Sequence, residues 1–160
     1  MTQIFLRRVI RQAFEIWSAV IPRNFVEVSP NDPNARILIK FEKRNHGFDG
    51  TGRVLAHALP GDYVHFDDDE TWKIYRPYEK VYFGQVDLLS VAIHEIGHSL
   101  GLRHSDVINS IMQESYKNPA DENGNYVFPR LLTSVIADIQ SIYGPRIKSS
   151  GNGMLVFCSI

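Results

Sequence analysis

The sequence is poor in the features that define several classes of protein. Its 160 residues include one cysteine, Cys158, so neither an internal disulfide nor a thiolate zinc cluster can form. No apolar run approaches the roughly 18 residues needed to cross a bilayer, and no signal peptide is recognisable in the chain as given. Any transition metal must therefore be bound by histidines and carboxylates.

The charge balance argues against nucleic-acid partners. The chain has 17 Lys and Arg residues against 18 Asp and Glu residues, a formal net charge of -1. Because nucleic acids and anionic membranes attract proteins with a basic excess, neither is an expected partner. Hydrophobic residues make up 44% and charged residues 22%, as in an ordinary folded domain. The length predicts one domain.

Apolar periodicity predicts a helix, then short strands, then two further helices. The first helical pattern runs from Phe5 to Val20 and is ended by Pro22. Strand patterns occupy 24–29, 35–41, 54–59 and 63–66, and the later helices 86–100 and 131–143. This order of elements predicts an α+β domain with a mixed sheet.

Three of the six histidines fall in the stretch HEIGHSLGLRH. On a helix, His94 and His98 lie on one face about 6 Å apart, a spacing that suits two nitrogen ligands of one Zn²⁺. Gly101 can adopt the positive φ that reverses the chain, so that His104 becomes the third ligand. Three histidines leave one position open, as in catalytic zinc sites, and Glu95 can reach that position. The alternative, ordinary core histidines, is a poor account of so specific a motif.

Segments outside this motif extend the pattern. Met112 lies eight residues after His104, and the chain also contains FDG at 48–50, LAHA at 55–58 and HFDDDETW at 65–72. Together these residues resemble the metzincins, and within them the catalytic domain of the matrix metalloproteinases, or matrixins. The similarity spans about residues 5 to 146.

The resemblance implies a fold and a function. The fold would be a mixed twisted sheet, mostly parallel with one antiparallel edge strand, packed on the active-site helix. The function would be that of a zinc-dependent endopeptidase acting on extended segments of extracellular or matrix proteins. Secretion and binding of proteinaceous metalloproteinase inhibitors are further implications.

The resemblance also assigns roles to residues. His94, His98 and His104 would bind the catalytic zinc, Glu95 would be the general base, and Met112 would form the Met-turn beneath the metal without binding it. A second, structural zinc would be bound by His46, His57 and His65. A calcium ion would be bound by Asp49, Asp67 and Glu70 with the carbonyls of Gly50, Gly52 and Val54. The alternatives are solvated loop histidines and a solvated acidic turn.

The chain departs from the family in several places. The aspartate expected between His46 and the FDG segment is missing, and Glu114 replaces a proline of the specificity pocket. Because the given sequence starts at the first helix, we expect the family's first strand, inside the sheet, to be missing. This predicts an amino-terminally truncated catalytic domain over 1–146 and an unassigned tail over 147–160.

These departures leave two questions open. The apolar end of the tail is one candidate to fill the position of the missing strand, and an unrelated tail produced by alternative splicing is the other reading. A second hypothesis for the function is a truncated, non-catalytic zinc-binding module, or decoy, that binds substrates or inhibitors without turnover.

Overall fold

Three helices and seven strands make up the computed structural model, which describes residues 2–43, 47–48, 50–147 and 153–159. The helices are α1 (Gln3–Ser18), α2 (Leu88–Ser99) and α3 (Thr133–Tyr143). The strands are β1 (Arg23–Val28), β2 (Ile37–Glu42), β3 (Ala56–Leu59), β4 (Tyr63–Asp67), β5 (Trp72–Lys73), β6 (Val86–Asp87) and β7 (Gly153–Ser159). This confirms the predicted α+β class.

The main sheet has five strands in the order β1-β7-β2-β4-β3. All neighbouring strands are parallel except the edge strand β3, which is antiparallel to β4. The expected mixed sheet with one antiparallel edge strand is therefore confirmed. The two-residue strands β5 and β6 form a separate parallel pair that the sequence patterns did not indicate.

The interior position between β1 and β2 is occupied by the carboxyl-terminal strand β7. It pairs in parallel with β1 from Gly153 to Cys158, and with β2 from Phe157 to Ser159. Within the described residues no strand precedes α1. The apolar end of the tail therefore packs between β1 and β2.

Helix α1 connects the sheet to the helix that carries the histidine motif. Its apolar face is buried, with Phe14 and Trp17 almost without exposed surface. The indole Nε1 of Trp17 donates a hydrogen bond to the Ile93 carbonyl in α2 at 3.0 Å. This bond fixes the position of α1 along α2.

Helix α2 lies in the interior, since ten of its twelve residues are buried. Asp87 forms its N-cap, with the carboxylate accepting a hydrogen bond from the Ser90 amide at 3.1 Å.

No helix in the described part of the chain has both the length and the apolar content that a membrane span requires.

Replacing Trp17 tests the contact between the two helices. We expect Trp17→Phe to lower the free energy of unfolding by about 2 kcal/mol, because it removes a buried hydrogen bond and part of a filled volume. The control is Ile4→Ala on the same helix, where the side chain is 78% exposed and the change should stay within about 0.5 kcal/mol. Urea unfolding followed by circular dichroism measures both, and equal effects would contradict the proposed contact.

Candidate metal centre and active site

The structure brings His94, His98 and His104 together. One ligand nitrogen from each lies within 4.8 Å of the other two, and the Nε2 atoms of His94 and His98 are 3.0 Å apart. In the part of the chain that the structure describes, this is the only group of three or more such side chains with that geometry.

Two backbone carbonyls orient the helical histidines. The Nδ1 atom of His94 lies 2.8 Å from the Ile111 carbonyl, and Nδ1 of His98 lies 2.8 Å from the Leu102 carbonyl. When each Nδ1–H donates to its carbonyl, the Nε2 lone pairs are left for a metal. Two lone pairs 3.0 Å apart repel each other unless a cation or a proton lies between them, so this arrangement fits a bound metal ion.

The protonation states are also those of metal ligands. Burial lowers the pKa of His94 to about 4; the hydrogen bond with the Ile111 carbonyl opposes this shift, and the nearby His98 and His104 add to it. Burial likewise lowers the pKa of His98. Both imidazoles are therefore neutral at neutral pH, which is the form that binds a transition metal.

A glycine reverses the chain between the second and third histidines. Helix α2 ends at Ser99, and Gly101 has a φ of 100°, a value that other residues rarely adopt. Its amide donates to the His98 carbonyl at 2.9 Å, and the Leu102 amide donates to the Gly97 carbonyl at 3.0 Å. The reversal predicted at Gly101 is present, and it places His104 opposite the helix.

Met112 packs beneath the histidines. Its side chain is buried, and a Cβ atom at Gly97 would lie only 2.6 Å from its sulfur. The preceding residue, Ile111, supplies the carbonyl that orients His94. The Met112 carbonyl in turn accepts a hydrogen bond from the Ser105 amide at 2.8 Å. The turn thus supports the histidine cluster through packing and backbone contacts.

Glu95 is buried beside the three histidines. Its Oε1 lies 3.9 Å from His94 Nε2, and its Oε2 has no hydrogen-bond partner among the described residues. Burial raises the pKa of this carboxyl to about 8. An unpartnered buried oxygen at this place fits a neighbouring cation or a proton-exchanging water. The donor set of three imidazoles and one adjacent carboxyl therefore fits Zn²⁺.

The cluster opens into a groove of about 1590 Å³. One wall is formed by Leu55 to Ala58, next to and within the edge strand β3, and the other by residues after the Met-turn. Leu102, Glu114 and Tyr116 all line the groove.

A buried polar network at the start of α2 was missed by the sequence analysis. Asp87 Oδ2 accepts hydrogen bonds from the Ser90 hydroxyl at 2.6 Å and from the Tyr126 hydroxyl at 3.1 Å. The Asp87 amide donates to the Tyr116 hydroxyl at 2.9 Å. Burial raises the pKa of Asp87. An aspartate directly before an apolar helix is an N-cap signal that could have identified it.

The structure describes two of the three histidines proposed for the second zinc. His57 and His65 face each other across β3 and β4, with ring centroids 5.4 Å apart. Gly47 lies against His57, since a Cβ atom there would be 3.8 Å from His57 Cε1. The third residue, His46, is outside the described residues.

The proposed calcium ligands surround a glycine-rich turn. Asp67 is fully buried, and its Oδ2 has no hydrogen-bond partner within the described ranges. The Gly52 amide donates to a Glu70 carboxylate oxygen, which ties the turn to the acidic segment. Gly50 and Gly52 have φ values of 94° and 89°. Val54 follows in the same turn, whereas Asp49 lies outside the described residues.

Comparison with known proteins shows which sequences this chain resembles. The sequence profile of the matrixin family matches residues 1–144. The chain is 45% identical over 155 residues to matrix metalloproteinase-C of Caenorhabditis elegans, covering 92% of this chain and 26% of that protein. It is 44% identical over 151 residues to the hatching enzyme of Paracentrotus lividus, covering 90% and 23%. It is 39% identical over 151 residues to rat matrilysin, covering 88% and 51%. The chain therefore spans between about a quarter and a half of these relatives.

Removing the metal should expose the cost of burying Glu95. The metal-free protein is expected to lose about 1 kcal/mol of stability between pH 7 and pH 8 through this residue. The folded state keeps the Glu95 proton up to about pH 8, whereas the unfolded chain has released it above about pH 4.5, so the stabilisation falls as pH rises.

The measurement is urea unfolding of chelator-treated protein at pH 7 and pH 8. Glu95→Gln removes the titrating group and should flatten this interval, while all other groups contribute equally to both proteins. Identical pH dependence in wild type and variant would contradict the raised pKa.

Proposed function

Because the chain belongs to the matrixin family, we propose that it is a zinc-dependent endopeptidase that cleaves extended segments of extracellular or matrix proteins. The observation that supports this best is the buried Glu95 carboxyl, one oxygen of which has no partner, beside three histidines that could hold a metal in an open groove. Action outside the cell is part of the proposal and rests on the family.

The metal would be held by His94, His98 and His104. When bound, zinc supplies a Lewis acid that polarises the scissile carbonyl and makes a water molecule more acidic. The carbonyls of Ile111 and Leu102 contact Nδ1 of the two helical histidines, which would leave their Nε2 atoms to hold the metal. The protein would thus contribute the placement of the ligand nitrogens.

Glu95 would move the proton. Its carboxylate takes a proton from the attacking water as the oxygen bonds to the scissile carbonyl carbon, and it then gives that proton to the leaving amine nitrogen as the C–N bond breaks. The carboxyl must be ionised before each turnover. The pKa of this carboxyl is about 8 without metal. A nearby cation would lower this pKa toward the pH at which the reaction runs.

The groove would bind the substrate through its backbone. The segment from Leu55 to Ala58 lies along the groove at the sheet edge, and among the described strands β3 pairs with β4 alone. An extended peptide can add to such an edge by main-chain hydrogen bonds, which tolerate varied side chains. Leu102 and Tyr116 offer apolar surface to a side chain next to the cleaved bond.

Two structural metals complete the proposal. His57 and His65, adjacent across the edge of the sheet, would bind a second zinc together with His46. Asp67 and Glu70 would bind Ca²⁺ with Asp49 and the carbonyls of Gly50, Gly52 and Val54. The buried, unpartnered oxygen of Asp67 supports the calcium site, because a buried carboxylate oxygen without a donor favours a cation.

Glu95→Gln tests the catalytic assignment. We expect the variant to hydrolyse a quenched fluorogenic peptide at least about 10²-fold more slowly, since the proton acceptor is lost, and to keep its catalytic zinc. The exposed Glu122→Gln is the matched control and should retain full activity. Hydrolysis is measured with Zn²⁺ and Ca²⁺ supplied, and a chelator should abolish it.

Retained activity in Glu95→Gln would refute the role of Glu95. A wild-type protein that holds zinc at this site but hydrolyses no peptide would instead favour the non-catalytic binding module or decoy.

Zinc stoichiometry tests the second metal site. We expect nearly two zinc ions per wild-type chain by native mass spectrometry, and nearly one in His57→Ala and in His98→Ala. The two variants differ in activity, because only His98→Ala removes the catalytic zinc. One zinc ion in the wild type, retained in His57→Ala and lost in His98→Ala, would show that the structural zinc is not bound.

A further inference from the structure

The segment that joins the two short strands β5 and β6 reaches the groove. It consists of residues 74–85, and three consecutive members line the same groove as the histidines: Phe83, Gly84 and Gln85. They come directly before β6 and α2, whereas the histidines lie in the second half of α2. At 1.5 Å per residue, His94 is already about 9 Å along the helix from Leu88. These three residues therefore belong to the part of the groove near the start of α2, away from the metal centre.

The sheet edge leads toward this part of the groove. The Gly61 amide, just after β3, donates to the Ser99 carbonyl at 2.8 Å, so the carboxyl end of β3 lies at the histidine end of α2. The opposite end of β3 is preceded by residues 52–55, which also line the groove. An extended peptide paired along this edge would thus run from the metal centre toward the start of α2.

Hydrogen bonds bring the 74–85 segment next to residues 52–55. The Gly52 amide donates to a Glu70 carboxylate oxygen. The following residue, Thr71, accepts a hydrogen bond at its carbonyl from the Val86 amide at 3.0 Å. Residues at the end of the 74–85 segment and residues at the start of the sheet edge are therefore connected through the acidic segment between them.

An exposed aromatic ring lies at this place. Phe83 has a relative exposed surface of 103%, the highest value among the large apolar side chains of the described residues. Val54, from the sheet edge, lines the groove and is 41% exposed. Apolar surface in contact with water is unfavourable, and when it is concentrated at a groove it marks a binding site. The chemistry of the site suits an apolar side chain.

The 74–85 segment is held in place before anything binds. The Val81 amide donates to the Gly124 carbonyl at 3.0 Å, and the Tyr126 amide donates to the Glu79 carbonyl at 2.8 Å. The rings of Tyr75 and Tyr126 stack with centroids 5.0 Å apart. A ligand therefore does not have to order this segment, and less of the gain from apolar contact is lost on binding.

We propose that Phe83 forms a second side-chain site of the groove, which binds an apolar residue of the peptide substrate away from the cleaved bond. The preferred substrates would then carry two apolar residues, one beside the cleaved bond at Leu102 and Tyr116 and one further along the extended chain. At about 3.3 Å per residue, the length of helix between His94 and Leu88 corresponds to roughly three residues of separation. The inference rests on the proposed function, because it takes the bound molecule to be a peptide.

A peptide scan tests the site without turnover. The zinc-loaded Glu95→Gln protein is titrated into fluorescein-labelled peptides rich in alanine and serine, and fluorescence anisotropy gives the Kd. Each peptide has one leucine at a fixed position and one phenylalanine at a position that differs between peptides, and the parent peptide lacks the phenylalanine. We expect the phenylalanine to tighten binding about fivefold when it is roughly three residues or more from the leucine.

Phe83→Ala in the same background should abolish this gain and leave the affinity for the parent peptide unchanged, since the lost contact is made only by the added phenylalanine. The ring is exposed, so its removal should not disturb folding. The matched control is Tyr78→Ala on the same segment. Tyr78 is 87% exposed and lines a separate small depression with Lys73 and Glu79, so this variant should keep the full gain.

Three results would overturn the proposal: no position of the phenylalanine tightens binding, the gain survives in Phe83→Ala, or Tyr78→Ala removes it equally. A wild-type protein that hydrolyses no peptide, with the gain present and dependent on Phe83, would refute the proposed activity and support this site. Hydrolysis of peptides with no gain at any position would do the reverse, so the two failures are distinguishable.

Discussion

The close packing at Gly97 is the contact on which the rest of the structure depends. Trp17 from α1 and Met112 from the following turn both approach the space that a Cβ atom would fill at this position. Any larger residue at position 97 would displace Trp17 and Met112, because the closely packed interior leaves no space for an added Cβ atom. Because Gly97 has no side chain, helix α1, helix α2 and the turn at Met112 meet directly beneath the histidines.

The same burial that builds this contact sets the chemistry of the site. Removal from water favours the neutral form of every titratable group, so it lowers the pKa of His94 and raises the pKa of Glu95. For the histidine this gives the metal-binding form at neutral pH. For the glutamate it creates a group that can exchange a proton near neutrality, at the cost of a buried oxygen that has no donor in the described part of the chain. Burial of this oxygen without a donor is unfavourable, and a cation bound beside it would remove that cost.

The sequence predicted the parts of the fold that depend on local chemistry. The helical spacing of His94 and His98, the need for positive φ at Gly101 and the apolar face of α1 follow from residues close together in the chain, and the structure agrees with each. The strands β5 and β6 were missed because two residues are too few to show a period. The network around Asp87 was missed because Tyr116 and Tyr126 reach it from 29 and 39 residues away.

The position of β7 shows why topology is harder to predict than the elements themselves. Alternation of side chains identifies a strand, but the sheet position that it takes is decided by which backbone edges are left unpaired and within reach. Here the edges of β1 and β2 face each other across one strand's width, and the chain leaves α3 beside the start of β1. A segment with Leu155 and Phe157 on alternate positions can then bury its aromatic ring on Phe14 while both of its edges are paired. The constraint is therefore a property of the whole sheet, and no window of the sequence contains it.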